Sequence, residues 1–182
     1  TNETQIDGGV IESVDGKLTG ILIDNAIDSI QVVIPDWDKE VKIEYLKKAE
    51  QNLFEQGLTS INDAGVFANE RELFIELYEN NELLINNYLM LFPVGENLDF
   101  AAENGVYKKG GLHIGSFKLI SDGALGSWGA CLHDAYTDNP HEHGYLLQNV
   151  DEMRDIASYA KEIGYQLNTH CIGDSANSVM LK

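Results

Sequence analysis

The chain has 182 residues, 43% of them hydrophobic and 23% charged, which is an ordinary globular composition with enough apolar side chains for a core. Lys and Arg number 12 against 30 Asp and Glu, giving a formal net charge of −18. Nucleic acid and anionic membranes are therefore excluded as expected partners, because both recruit basic surface. No apolar run reaches the roughly 18 residues that a spanning helix requires. The start, Thr1-Asn2-Glu3-Thr4-Gln5, is polar and lacks the charged-then-apolar pattern of a signal peptide. It also lacks an initiator methionine, which fits a processed chain, an excised piece or a cloning boundary. Two cysteines, Cys131 and Cys171, are too few for a disulfide framework, so a reduced, cytoplasmic setting is expected.

Residues 8–23 hold two short β-rich runs flanking Asp15-Gly16, a hairpin signal. Residues 1–35 are expected to form this hairpin segment and a linker, and residues 36–182 a partial β/α barrel. After Pro35 a helix is expected from about Asp38 to Gln56, with Val41, Tyr45, Leu46, Ala49, Leu53 and Phe54 as its apolar stripe and Gly57 as its stop. Leu58–Asp63 reads as a strand ending at Asp63-Ala64-Gly65. Glu70–Asn80 reads as a helix with Leu73, Phe74, Leu77 and Tyr78 on one face. Leu83–Phe92 is a nearly continuous apolar strand stopped by Pro93, and residues 94–111 are Gly-rich and mixed.

A strand follows over His113–Ser121, ending at Asp122-Gly123. Residues 124–150 form a long polar loop. Asp151 is the expected N-cap of a helix to Ile163, ended by Gly164. Tyr165–His170 is the next strand, and a last helix begins at Asp174 or Ser175. Apolar strands alternating with amphipathic helices predict a parallel sheet. About four such strands are present, half of an eight-stranded barrel.

Chemistry in a β/α barrel sits at the C-terminal ends of the strands. Asp63, Lys118, Asp122 and His170 fall at or just after such ends. Lys118 interrupts an apolar run, and a charged amine buried there costs several kcal/mol unless it is paired or neutralised. It can snorkel to a loop carboxylate such as Asp122. Alternatively, its amine can add CO2 and become a carbamate that ligates metal as a carboxylate does. His170 places an imidazole at a strand tip, a common zinc ligand, although single histidines of this kind are often core or hydrogen-bonded residues. His141-Glu142-His143 has the spacing of a chelate, but it follows Asn139-Pro140 in a polar loop and reads as solvated. His133 and His113 read the same way. Cys171 reads as a buried structural thiol rather than a nucleophile. No GxSxG, P-loop or dinucleotide fingerprint occurs.

The segments Phe117–Ser127 followed by Gly129-Ala130, and His170–Asn177, together resemble the amidohydrolase family that includes N-substituted formamide deformylases and YtcJ-like proteins. Gly8-Gly9-Val10-Ile11, Gly20-Ile21-Leu22 and Gly57–Gly65 also match its usual wording. The resemblance covers nearly the whole chain, in order. It implies a TIM-type β/α barrel with a small β-rich domain, of which this chain holds about strands two to five. It implies that Lys118 is the strand-four lysine that becomes carboxylated and that His170 is the strand-five ligand of a divalent metal, zinc by this reading. Asp122 and Asp174 would lie near that site. Trp128 stands where many members carry arginine. The family's strand-one HxH, strand-six histidine and strand-eight aspartate have no counterpart here, so the resemblance implies a fragment with weak or no metal of its own.

The expected activity of the parent is hydrolysis of amide or formamide C–N bonds in a small-molecule substrate, with a general base outside this chain. A rival reading is a non-catalytic acidic α/β module that associates through open sheet edges. Either way, self-association is expected, since uncovered edges pair.

Overall fold

The computed structural model describes Ile6 and residues 9–182. The polar start and the Gly8 of the Gly8-Gly9 pair lie outside the described residues. The chain forms two compact units: residues 1–36, 120–153 and 169–182 in the first, and residues 37–119 and 154–168 in the second.

In the first unit, β1 (Gly9–Val14) and β2 (Lys17–Asp24) form an antiparallel hairpin. Asp15 and Gly16 turn between them with φ of 52° and 73°, the doubly positive turn that matches the twist of paired strands. A 3-10 turn, Asn25–Ile27, and the short helix α1 (Asp28–Gln31) follow, where a plain linker was expected. Asp24 itself has φ 51°. Its carboxylate fills the space that a Cβ would need at Gly123 and at Gly129, 2.5 Å from the ideal position in each case, so both positions accept only glycine without rearrangement. The Tyr145 hydroxyl donates to the same carboxylate at 3.2 Å. Burial, and then the Asp24 charge, push the Tyr145 phenol up to about 12.

The second unit carries the sheet. Helix α2 (Lys39–Glu55) ends where Gly57 takes φ 77°. Its inward residues are Ile43 and Leu46, while Tyr45 and Phe54, placed on the stripe by spacing, are 54% and 41% exposed. β3 (Ser60–Val66) runs three residues beyond Asp63, because Gly65 adopts φ 118° in a bulge and the strand resumes at Val66. α3 (Ala68–Glu79) buries Leu73, Phe74, Leu77 and Tyr78 as its spacing requires. β4 (Asn86–Leu91) starts three residues later than the apolar run Leu83-Leu84-Ile85 suggests. The amides of Leu84 and Ile85 are held by the Glu50 carboxylate instead of a strand neighbour.

Within residues 94–111 lie two elements that the mixed composition concealed, α4 (Glu96–Asn104) and β5 (Tyr107–Lys109). Gly95 and Gly105, with φ of 45° and 58°, bracket α4. Arg71 anchors this helix: it is 5% exposed, donates to Asn97 Oδ1 at 2.6 Å and stacks over the Phe100 ring at 4.4 Å. Asn97 in turn donates to the carbonyls of Val66 and Phe92.

β6 (Leu112–Ile120) completes the sheet in the order β3-β4-β6-β5, with β7 (Gln166–His170) also paired to β6. The β3–β4 and β4–β6 pairs are parallel and the short β5–β6 pair is antiparallel. The core gathers Val66, Leu89, Leu91, Leu112, Ile114 and Phe117 from the strands under α3 and the helix α5 (Val150–Ile163). The cap of α5 is Asn149, whose Oδ1 accepts the amides of Asp151 and Glu152, so Asp151 sits inside the first turn rather than at the cap. Gly164 ends the helix as expected, with φ 74°. The long loop holds a 3-10 turn, Leu125–Ser127, and an isolated antiparallel bridge from Leu146 to Asp122 before α5, and α6 (Asp174–Met180) closes the described chain.

Candidate active site

β6 places Lys118 by means of a bulge. Ile114 pairs with Leu89 but Ser116 pairs with Met90, so one residue, Gly115, is extra. Strict alternation from Leu112 and Ile114 would send Ser116 and Lys118 into the apolar core. The bulge reverses the parity: Phe117 and Leu119 become the buried residues, at 0% and 2% exposure, and Lys118 takes the other face. Lys118 is therefore half-buried, not buried, and its amine makes no hydrogen bond or ion pair with a described residue.

Ser116 shares that face and is 0% exposed, with a hydroxyl that has no partner among the described residues. On β7, Leu167 packs against the core, so alternation puts Asn168 on the opposite face, where its Nδ2 has no partner. Buried polar groups are ordinarily satisfied. Two orphaned ones on the face that also carries an unpaired lysine mark a surface arranged for something polar. Asp63 does not join it. It lies beside Ile61 and Asn87 on the helix-packed face of the sheet, opposite to Lys118, and three residues short of the strand end. Burial and the nearby Glu70 raise its carboxyl above the usual range.

In the first unit, His170 ends β7 and its carbonyl accepts both the amide and the hydroxyl of Ser121. Its ring has no partner among the described residues. Asp122 is 0% exposed. Its carboxylate accepts the amides of Ile172 at 2.9 Å, Gly173 at 2.7 Å and Cys131 at 3.0 Å. It thus holds the turn that follows His170 and ties it to the long loop. Gly173 is packed so closely on Cys131 that a Cβ there would overlap its carbonyl. Asp174 is exposed and accepts the His133 amide at 2.9 Å and the Ser175 amide at 2.8 Å. The bond from His133 is the main reason its carboxyl is held below the usual range. His133 is docked rather than free, its ring lying 3.0 Å from Ser178 Oγ.

His141, Glu142 and His143 are exposed, and it is the carbonyls of Glu142 and His143 that are engaged, by Tyr136 and Leu132. Among the described residues no three His, Cys, Asp or Glu side chains converge as a metal site. Among the described residues the Lys118 amine and the His170 ring have no hydrogen-bond partner, and neither do the Ser116 hydroxyl and the Asn168 Nδ2. Ser116 and Asn168 were readable in principle: each lies two residues before a suspected ligand on the same strand face.

A mixed α/β chain with a mainly parallel sheet of this kind is similar to the metal-dependent hydrolases. An uncharacterized metal-dependent hydrolase from Pyrococcus furiosus matches with a TM-score of 0.76 and 31% identity, over 86% of this chain and 33% of that one. The chain belongs to the amidohydrolase family, whose profile covers residues 1–182. Relatives include Protein LONG AFTER FAR-RED 3 of Arabidopsis thaliana, 25% identical over 98% of this chain, and the Putative amidohydrolase YtcJ of Bacillus subtilis (strain 168), 26% identical over 96%. The chain spans about a third of the length of each, 33% and 34%.

Proposed function

We propose that the protein to which this chain belongs is a metal-dependent hydrolase of carbon–nitrogen bonds, acting on amide or formamide-type small molecules, and that β3, β4, β6 and β7 are strands two to five of its β/α barrel. The observation that carries this reading is Lys118: an amine at the C-terminal part of a central strand, on the same sheet face as a buried hydroxyl and a buried amide, all three without hydrogen-bond partners among the described residues. In this reading the neutral amine adds CO2, forming one N–C bond and releasing one proton, and the resulting carbamate and the His170 imidazole would hold a divalent metal, zinc by the nature of these donors. A zinc bound there would act as a Lewis acid toward water and the substrate carbonyl.

The chain's own residues do the rest. Ser116 and Asn168 offer a hydroxyl and an N–H to orient the modified Lys118. Asp122 fixes the turn after His170 and so fixes the imidazole's approach; Asp174 acts one step further out, by anchoring His133. Two donors are fewer than the three or four that a zinc site uses, so the remaining ligands and the general base are assigned to parts of the longer protein. Two free thiols support a reduced, cytoplasmic setting. No helix among the described residues is long and apolar enough to cross a membrane.

The test is Lys118→Ala in the complete protein, followed by metal analysis and turnover of a panel of N-substituted formamides and amides. Metal content and turnover should both fall, turnover by more than about a hundredfold, since even loss of a supporting partner acts on that scale. Short carboxylic acids should restore part of each. Lys118→Arg should fail as well, because a guanidinium forms no carbamate. Full metal content and full turnover in Lys118→Ala would overturn the assignment.

A further inference from the structure

The helix-packed face of the sheet holds a second polar anomaly. Between α2, α3 and strands β3 and β4 lies a cavity of about 160 Å³. Leu46 and Leu53 of α2, Ile61 of β3 and Phe74 of α3 make its apolar wall, and Asp63 and Asn87 are the lining polar side chains that have no hydrogen-bond partner among the described residues. Asn87 is 2% exposed, and neither its Oδ1 nor its Nδ2 makes a hydrogen bond. The other polar groups of the lining are engaged. Glu50 accepts the amides of Leu84 and Ile85 at 2.6 and 2.8 Å, and the Tyr78 hydroxyl donates to the Ile85 carbonyl at 2.7 Å.

The unmet demand is therefore specific. One donor and one acceptor stand side by side on the edge of a single amide, in the lining of a mainly apolar slot. The slot is partly open to solvent along α2, and its volume is of the order that takes a benzene-sized guest in an enclosed apolar cavity of another protein. Water alone would satisfy Asn87 but would leave the Leu, Ile and Phe wall wetted. An anionic head group would face the Asp63 carboxyl, which has no cation beside it among the described residues.

We infer that this cavity is a binding site for a small neutral molecule with an aromatic or branched apolar body and a primary carboxamide head, paired through its N–H and C=O with the two orphaned atoms of Asn87. The second N–H of such a head is available to Asp63. The site lies on the sheet face opposite to Lys118 and is independent of the hydrolytic reading.

The probe is benzamide, titrated into the full chain and followed through the side-chain amide resonances of Asn87. These should shift and saturate. Benzoate and ethylbenzene, which lack the neutral head or any head at all, should bind at least about tenfold more weakly, as a lost pair of buried hydrogen bonds requires. Asn87→Leu should lose at least about the same factor, and Ala49→Leu, which fills the slot from α2 while leaving Asn87 in place, should abolish binding. Two results would each overturn the inference. One is the absence of saturable benzamide binding to the native chain with Asn87→Leu merely stabilised, which means that the cavity holds water. The other is equal affinity for benzamide and ethylbenzene.

Discussion

Asp122 offers the sharpest test of how the His170 end of the chain is held. Its carboxylate is fully buried and receives amides from Cys131, Ile172 and Gly173 at 2.7 to 3.0 Å. Asp122→Ala removes both acceptor oxygens on which the three amides rely and adds none, so each N–H is left without its partner. A hydrogen bond to a charged group contributes about 1.5–3 kcal/mol, and a stranded buried amide costs about 1–3 kcal/mol. Three of them, discounted for relaxation of the turn and for water entering the space left, give an expected loss of about 3–5 kcal/mol. That is a large share of the roughly 5–15 kcal/mol of a typical domain. Asp122→Asn keeps one acceptor but turns an NH2 toward amide donors, and should lie between the two. Urea unfolding read through Trp128, which belongs to the same unit, measures the loss. In the complete protein the same substitution should weaken metal retention while Lys118 is intact, because the turn after His170 is no longer fixed. A loss below about 1 kcal/mol, the scale of an ordinary surface change, would refute the account of Asp122 as the anchor of that turn.

Three further outcomes are expected. This chain alone, dialysed and analysed for zinc, should hold well under one ion per chain, because two donors do not complete a site; stoichiometric, tightly held zinc would mean either that the fragment reading is wrong or that the histidines at 141 and 143 are ligands. Asp63→Asn should raise the melting temperature at neutral pH: the folded state holds this carboxyl above its usual range, so its contribution to stability is present in acid and is lost as pH rises through the folded value. The advantage of the variant should shrink as pH falls through the carboxylate range, and a pH-independent difference would contradict the cause assigned. Light scattering at micromolar concentration should report a dimer or larger species, given edge strand β3 and exposed Val32, Val33 and Ile34 at 83%, 71% and 60%; a compact monomer would show those edges to be protected.

The elements that were legible in the sequence are those whose own residues decide them. The Asp15-Gly16 turn needs two positive φ values, and Asp-Gly supplies them. α3 follows its 3.6 spacing because Leu73, Phe74, Leu77 and Tyr78 all reach one core. α2 has equally good spacing, but its flank at Tyr45 and Phe54 stays largely exposed, with Tyr45 meeting only the edge of the Trp37 ring among the ring contacts of the described residues, and spacing cannot report that. α4 was hidden because what holds it is remote: Arg71, from α3, supplies the bond to Asn97 and the stacking on Phe100. Asn149 took the cap from Asp151, two residues earlier, and both side chains are of the type that caps helices.

The site itself was legible as an anomaly, and its resolution was not. A lysine inside His113–Ser121 announces a conflict between composition and burial, and a conflict of that kind is where function collects. The sequence alone leaves two ways out, a snorkelling amine or a modified one. The bulge at Gly115 adds the physical step between them. By shifting parity once, it lets Leu112 and Ile114 on one side and Phe117 and Leu119 on the other fill the same core, while Ser116 and Lys118 leave it together. No periodicity predicts this shift, because it is set by pairing with β4, where Met90 meets Ser116 instead of Gly115. A glycine suits the extra position: a Cβ there would come within 3.1 Å of the His113 ring and 3.3 Å of Val106. The charge is thus not tolerated inside the core but turned out of it, onto a face where a buried hydroxyl and a buried amide also await partners. That shared need, more than the identity of any one residue, ties Lys118 to the chemistry proposed for it.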